Sequence, residues 1–120
     1  PLTQSQLNKA RAAVREVRMS EQVEEYLVQI ILATRSSDKY GGNLSDWLEF
    51  GASPRATIAL DICSKSLAWL DNRNFVTPDD IRSIAHDVLR HRLILSFEAE
   101  ANGISSDQVV DELLKVVPSA

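Results

Sequence analysis

With 120 residues, 44% of them hydrophobic, and a formal charge of −4, the chain is one domain of ordinary size that can bury a core without covalent staples. The acidic balance argues against nucleic acid or an anionic membrane as a partner, and the single cysteine, Cys63, excludes an internal disulfide and a cysteine-rich metal site. No apolar run approaches the roughly 18 residues needed to span a bilayer, and the N-terminus has no charged head followed by a hydrophobic signal core, so a cytoplasmic location is expected.

The chain begins at Pro1 rather than methionine, which fits a piece excised from a longer protein. Thr3 and Gln6 form a capping-box pattern, and Leu7, Ala10, Val14 and Val17 recur at helical spacing, predicting a helix from about Gln4 to Val17. Arg11, Arg15 and Arg18 make a second stripe on it, a solvated face by preference, with a subunit contact or a phosphate neighbour as the alternative. Ser20 is the next N-cap, followed by Glu21, Glu24 and Glu25 where a helix dipole favours acids. Val23, Tyr26, Leu27, Ile30 and Ile31 then carry a second helix to about Arg35. The short Arg18-Met19 break predicts that the two helices pack as an antiparallel or steeply crossed pair. From Ser36 to Gly51 periodicity disappears, and a loop is expected. Trp47, Leu48 and Phe50 near its end are too apolar to float free and are expected to dock within this chain.

A third helix, Pro54 to about Asp71, supplies the widest apolar surface. Ser53 is positioned to cap it with its hydroxyl, and Pro54 presets φ at the one place where a missing N–H is harmless. Arg55 is the odd residue: a cation in the first turn opposes the helix dipole by about 0.3–1 kcal/mol. That unfavourable placement points to an outside anion such as phosphate, with an acidic side chain or solvent as the bland alternative. At 100° per residue, Ala56, Ala59, Leu60, Cys63, Leu67 and Leu70 share one sector, extended by Ile58, Ile62 and Trp69, while Thr57, Asp61, Ser64 and Lys65 lie opposite. The projection predicts a hub helix covered on two sides, with Cys63 a buried small hydrophobe. Arg55 falls inside the apolar arc, which points it into an interface.

Asp71-Asn72-Arg73-Asn74 is a turn, and Thr77-Pro78-Asp79-Asp80 starts a fourth helix with proline and acids in its first turn. Phe75 or Val76 is placed as a hydrophobic staple onto that helix, whose stripe is Ile81, Ile84, Ala85, Val88 and Leu89. Arg90-His91-Arg92 follows. His86 and His91 are five apart and share no helical face, so a metal site is not expected. Leu93 to Ala101 reads equally as helix or extended chain. Ser105 and Gln108 box in a last helix through Val109, Val110, Leu113, Leu114 and Val117, which Pro118 stops. No strong strand pair is evident, so the fold class is all-α, a small bundle of about five helices with short irregular or extended segments.

Catalytic constellations are missing. Gly41-Gly42 is followed by Asn43-Leu44 rather than by the lysine of a phosphate loop, and neither histidine sits in a recognisable base motif. An autonomous enzyme is not expected.

Three ordered motifs carry a family resemblance: Gly51-Ala52-Ser53-Pro54-Arg55-Ala56, Phe75-Val76-Thr77-Pro78-Asp79-Asp80-Ile81 and Val88-Leu89-Arg90-His91-Arg92-Leu93. Together they resemble the C-terminal lid of MoxR-type AAA+ ATPases, and the likeness extends from Val17 to the last helix. The resemblance implies a single lid domain over residues 1–120, the AAA+ core of the same chain as its neighbour, and ATP and Mg2+ bound by the full-length protein only. It implies that Arg55 is the sensor-2 arginine reaching the ATP phosphates, with Ser53 and Pro54 fixing the helix start that aims it. Arg90, His91 and Arg92 match a further motif, expected to serve structure or a subunit interface. A ring, expected to be a hexamer that remodels a client protein, follows from the same likeness. The alternative from the residues alone is a freestanding helical module that binds a partner through Trp47 to Phe50.

Overall fold

The helix caps set the frame of the domain. In the computed structural model, which describes residues 3–40 and 42–118, α1 (Gln4–Arg15), α2 (Glu21–Arg35), α5 (Pro78–Leu89) and α7 (Ser106–Val116) start at Thr3, Ser20, Thr77 and Ser105. Each of these side chains accepts a bond from a first-turn amide. Thr3 with Gln6, Thr77 with Asp80 and Ser105 with Gln108 close full capping boxes. A side-chain cap contributes about 1 kcal/mol, enough to fix where a marginal helix begins. The predicted third helix is α4 (Pro54–Leu70), because a one-turn α3 (Leu44–Trp47) precedes it. The five long helices are therefore those expected, and the fold is mostly helical.

Helix α4 is the hub, packed on α5, α1 and α2, while α7 closes the far side against α5 and α2. Tyr26, Ile30, Leu60, Ile81, Leu89 and Leu113 are almost fully buried and form the centre of one core. The face that α4 turns inward overlaps the predicted one only at Ala56 and Leu60. Ala56, Leu60, Ser64 and Ala68 are buried, one residue per turn, whereas Ile58, Ile62 and Leu70 are more than half exposed and Cys63 is exposed. Small side chains let three helices approach α4 closely, and that close approach outweighs the larger apolar area on the other side. Ser64, expected on the polar side, is buried because its hydroxyl is satisfied by the Asp61 carbonyl at 3.0 Å.

The first two helices do not pair. α1 lies on α4 and has no buried residue. The link after it is drawn elsewhere: the Arg18 amide donates to the Asn74 carbonyl and the Val76 amide to the Arg18 carbonyl, both at 2.8 Å. This parallel bridge to Phe75 fixes the chain beside the α4–α5 turn and directs α1 away from α2. Val76 is buried under it, as a staple should be, while Phe75 is half exposed.

The expected loop from Ser36 to Gly51 holds structure of its own. A 3₁₀ turn (Ser37–Lys39) leads to α3, whose Leu44 is fully buried, and then to β1 (Leu48–Phe50). The Tyr40 hydroxyl donates to the Gln29 side chain and ties the loop to α2. β1 pairs antiparallel with β2 (Ile94–Leu95), Leu48 opposite Leu95 and Phe50 opposite Ile94. No strand pair was legible because strands of three and two residues are too short to show a period. Leu48 is buried and Trp47 partly so, which docks them within the chain; the Phe50 side chain lies outside the described residues. The ambiguous tail after Leu93 is both things in turn, strand β2 and then α6 (Phe97–Ala101), capped by Ser96. Among the described residues no helix is long and apolar enough to cross a membrane.

Candidate functional site

Gly51 to Ala56 is moored against the last turn of α2. The buried Thr34 hydroxyl donates to the Ile31 carbonyl at 2.7 Å and accepts from the Ala52 amide at 2.9 Å. A Cβ on Gly51 would collide with the Thr34 carbonyl, so only glycine allows this close approach. Ala52 and Ala56 are buried, where a larger side chain would push the helix off α2 and its neighbours. Three of the six residues are therefore explained by packing, and they fix where α4 begins.

The helix start itself is open. Ser53 has the extended backbone of an N-cap (φ −77°, ψ 168°), yet its hydroxyl makes no cap bond, contrary to the expectation from sequence. Its carbonyl is used instead, accepting from the Ala56 amide at 2.9 Å. Pro54 occupies the first turn as expected, and no acid stands there. Ser53 and Arg55 are both exposed. A positively polarised helix end thus meets a guanidinium with no acidic side chain of its own turn to offset either, an arrangement suited to an anion. A groove beside it is lined by Arg35, Ser37, Glu49, Ser53 and Pro54, among others. Three and seven positions on, Ile58 and Ile62 continue the surface from Arg55, so this edge of the predicted apolar arc faces outward while Ala56 and Leu60 of the same arc are buried.

The second motif builds a structural lock that sequence reading did not single out. Arg73 grips Asp80 with two bonds at 2.8 and 2.7 Å, reaches Asp71 at 2.9 Å and the Phe75 carbonyl at 3.1 Å, and lies over the Phe75 ring. Asp80 also accepts from the Thr77 amide at 2.7 Å. Burial pushes the Asp80 carboxyl up, but the bonds from Arg73 and Thr77 outweigh it and hold the group below the usual carboxylate range. The same contacts, Asp80 first, raise Arg73 still further above neutrality. The available signal was an arginine in a turn seven residues before an acid at the third position of a capped helix.

The third motif is divided. Arg90 donates to Asp107 at 2.9 Å and to Asp87 at 3.4 Å, joining the end of α5 to the first turn of α7; these contacts, Asp107 foremost, raise its pKa. His91 and Arg92 stay exposed in the turn before the buried Leu93. His86, one turn earlier, meets Asp111 of α7 at 2.6 Å. None of these side chains comes together with Arg55 in a single cluster, and among the described residues no group of His, Cys, Asp and Glu could hold a metal.

Comparison with known proteins agrees with this architecture. A family model of the AAA lid domain matches residues 45–113. The chain is 39% identical over 94 residues to Chaperone MoxR1 of Mycobacterium tuberculosis, covering 78% of this chain and 25% of that protein. It is 35% identical over 104 residues to protein YeaC of Bacillus subtilis, covering 87% and 30%. The crystal structure of a putative ATPase from Cytophaga hutchinsonii superposes with a TM-score of 0.91 at 36% identity, over 97% of this chain and 36% of that one. The chain thus spans between 25% and 36% of the length of these relatives. A mostly helical bundle matched over nearly its whole length, with the Gly51–Ala56 run as its moored central start, belongs to the AAA lid domain family, in its MoxR-type form.

Proposed function

We propose that this domain is the nucleotide-sensing lid of a MoxR-type AAA+ ATPase, in which Arg55 holds a phosphate oxygen of ATP bound in the core domain. The observation that carries this reading is the open start of α4: an N-cap serine without a cap bond, no acid in the first turn, and an exposed arginine beside it. ATP and Mg2+ belong to the whole ATPase, where ATP supplies the anion whose γ-phosphate is present before hydrolysis and absent after it. This chain's residues would bind and transmit. Pro54 and the mooring of Gly51 and Ala52 on Thr34 fix the direction of Arg55, and α4, as the hub, couples any pull on Arg55 to α5, α1 and α2. Such a lid would shift with nucleotide state and with it the assembly of a ring, expected to be a hexamer, that remodels client proteins in the cytoplasm.

The test is Arg55→Ala in the full-length protein. ATP turnover should fall by about 100-fold, within the range for removing one charged contact to a transferring phosphate. The thermal midpoint should stay unchanged, since Arg55 is exposed. Turnover at the wild-type rate, with nucleotide-dependent assembly intact, would overturn the assignment.

A further inference from the structure

The outward arc of α4 borders a groove. Helix α1 lies along α4 without burying a residue, and between them Ala10, Val14 and Ile62 form an apolar floor rimmed by Arg11 and Arg15 on α1 and by Asp61, Lys65 and Ser66 on α4. Lys65 is paired with Asp61 at 3.1 Å, whereas among the described residues no acid forms an ion pair with Arg11 or Arg15. The groove is therefore apolar within and cationic at its edge, on a chain whose formal charge is −4.

Helix α6 presents the converse. Phe97 is 85% exposed, with Glu98 and Glu100 exposed beside it and Ile94 half exposed just before. The knob is held out rigidly: Ser96 accepts from the Ala99 amide at 3.1 Å, and its hydroxyl donates to the Asp46 carbonyl at 2.6 Å. A helix whose backbone is already held in place loses little further backbone freedom when its exposed ring binds.

We propose that Phe97 of one copy seats in the α1–α4 groove of a second copy, with Glu98 and Glu100 facing Arg11 and Arg15. Burial of the ring supplies the attraction, and the opposed charges set register and rate of encounter. Knob and groove are different surfaces, so the contact is head to tail and repeats around a ring or along a filament. The inference rests on the ring-forming part of the reading above and not on the phosphate role of Arg55.

Charge exchange between knob and groove tests it in the full-length protein, followed by sedimentation velocity over a concentration series. Arg11→Glu/Arg15→Glu makes the groove acidic, and Glu98→Arg/Glu100→Arg makes the knob basic; each alone should self-associate about 100-fold more weakly. An equimolar mixture should return to within about threefold of wild type, because each altered surface then meets an opposite charge. Phe97→Ala should weaken association by about 30-fold. All four charged positions are exposed, so unchanged melting will verify folding. Wild-type association of either charge variant, as would follow if its own core domain covers the groove, overturns the proposal. A folded mixture that stays dissociated overturns it equally. Every variant keeps Arg55, so per-subunit ATP binding reports separately on the nucleotide reading.

Discussion

Two helices of this domain begin with the same device, a hydroxyl residue followed by proline, and end up in opposite states. At Thr77-Pro78 the start is closed: the hydroxyl and the Asp80 carboxylate complete a capping box, acids fill the first turn, and Arg73 clamps the carboxylate from outside. At Ser53-Pro54 it is open: no cap bond, no acid, and a cation where the dipole disfavours one. The closed start holds α4 against α5 and Val76 under the Arg18 bridge. The open start has its backbone fixed by Thr34 while its polar groups are left for something else. Within one domain, saturated polar groups mark a structural joint, and the unsaturated ones are those to which the nucleotide role is proposed.

Several substitutions would break or sharpen this contrast. The largest effect is expected at Gly51, whose role is steric: Gly51→Ala drives a methyl into the Thr34 carbonyl and should cost about 3 kcal/mol or more in a denaturant titration. Next is the closed start itself. Asp80→Ala removes both the box and the clamp and should cost about 3 kcal/mol. Asp80 also makes stability depend on pH, for, against the effect of burial, the bonds from Arg73 and Thr77 hold its carboxyl below the ordinary value when folded. Its contribution is therefore complete above about pH 4, the unfolded pKa, and is lost as pH falls through the folded value. A melting series from pH 6 down to pH 2 should show that loss in the wild type and not in Asp80→Ala.

The smallest effects discriminate most finely. Thr77→Ala should lose about 1 kcal/mol, and Ser53→Ala should stay within about 0.5 kcal/mol, since only the first hydroxyl caps. Ser53→Asp should raise stability by about 0.5 kcal/mol by supplying the missing acceptor and a charge for the dipole. In the full-length protein it should weaken ATP binding at the same time, if the proposed nucleotide role holds. A Ser53→Asp protein that gains stability and binds ATP as before would separate the open start from any nucleotide role.

Most helix boundaries followed from the residues alone. Thr3, Ser20, Thr77 and Ser105 cap where the sequence places them, Thr3 and Ser105 by the three-residue spacing to a glutamine and Ser20 and Thr77 by the acids that follow, because capping is decided within a few residues of chain. The three motifs likewise identified the lid family without coordinates. Three misjudgements share one cause. The inward face of α4, the partner of α1 and the location of Cys63 all depend on which elements approach from a distance in sequence, and projection of one helix weighs apolar area without knowing how near its neighbours come. The same limit hid β1 and β2, paired across more than forty residues.

At Arg55 the division is sharpest. The sequence determined that a cation stands in the first turn of a proline-started helix, because position in a helix is a local property. Only the tertiary structure decided that Ser53 withholds its hydroxyl and that Arg55 stays exposed, with no ion pair among the described residues, while Ala52 is bound to Thr34 at the end of α2 and Gly51 lies against it.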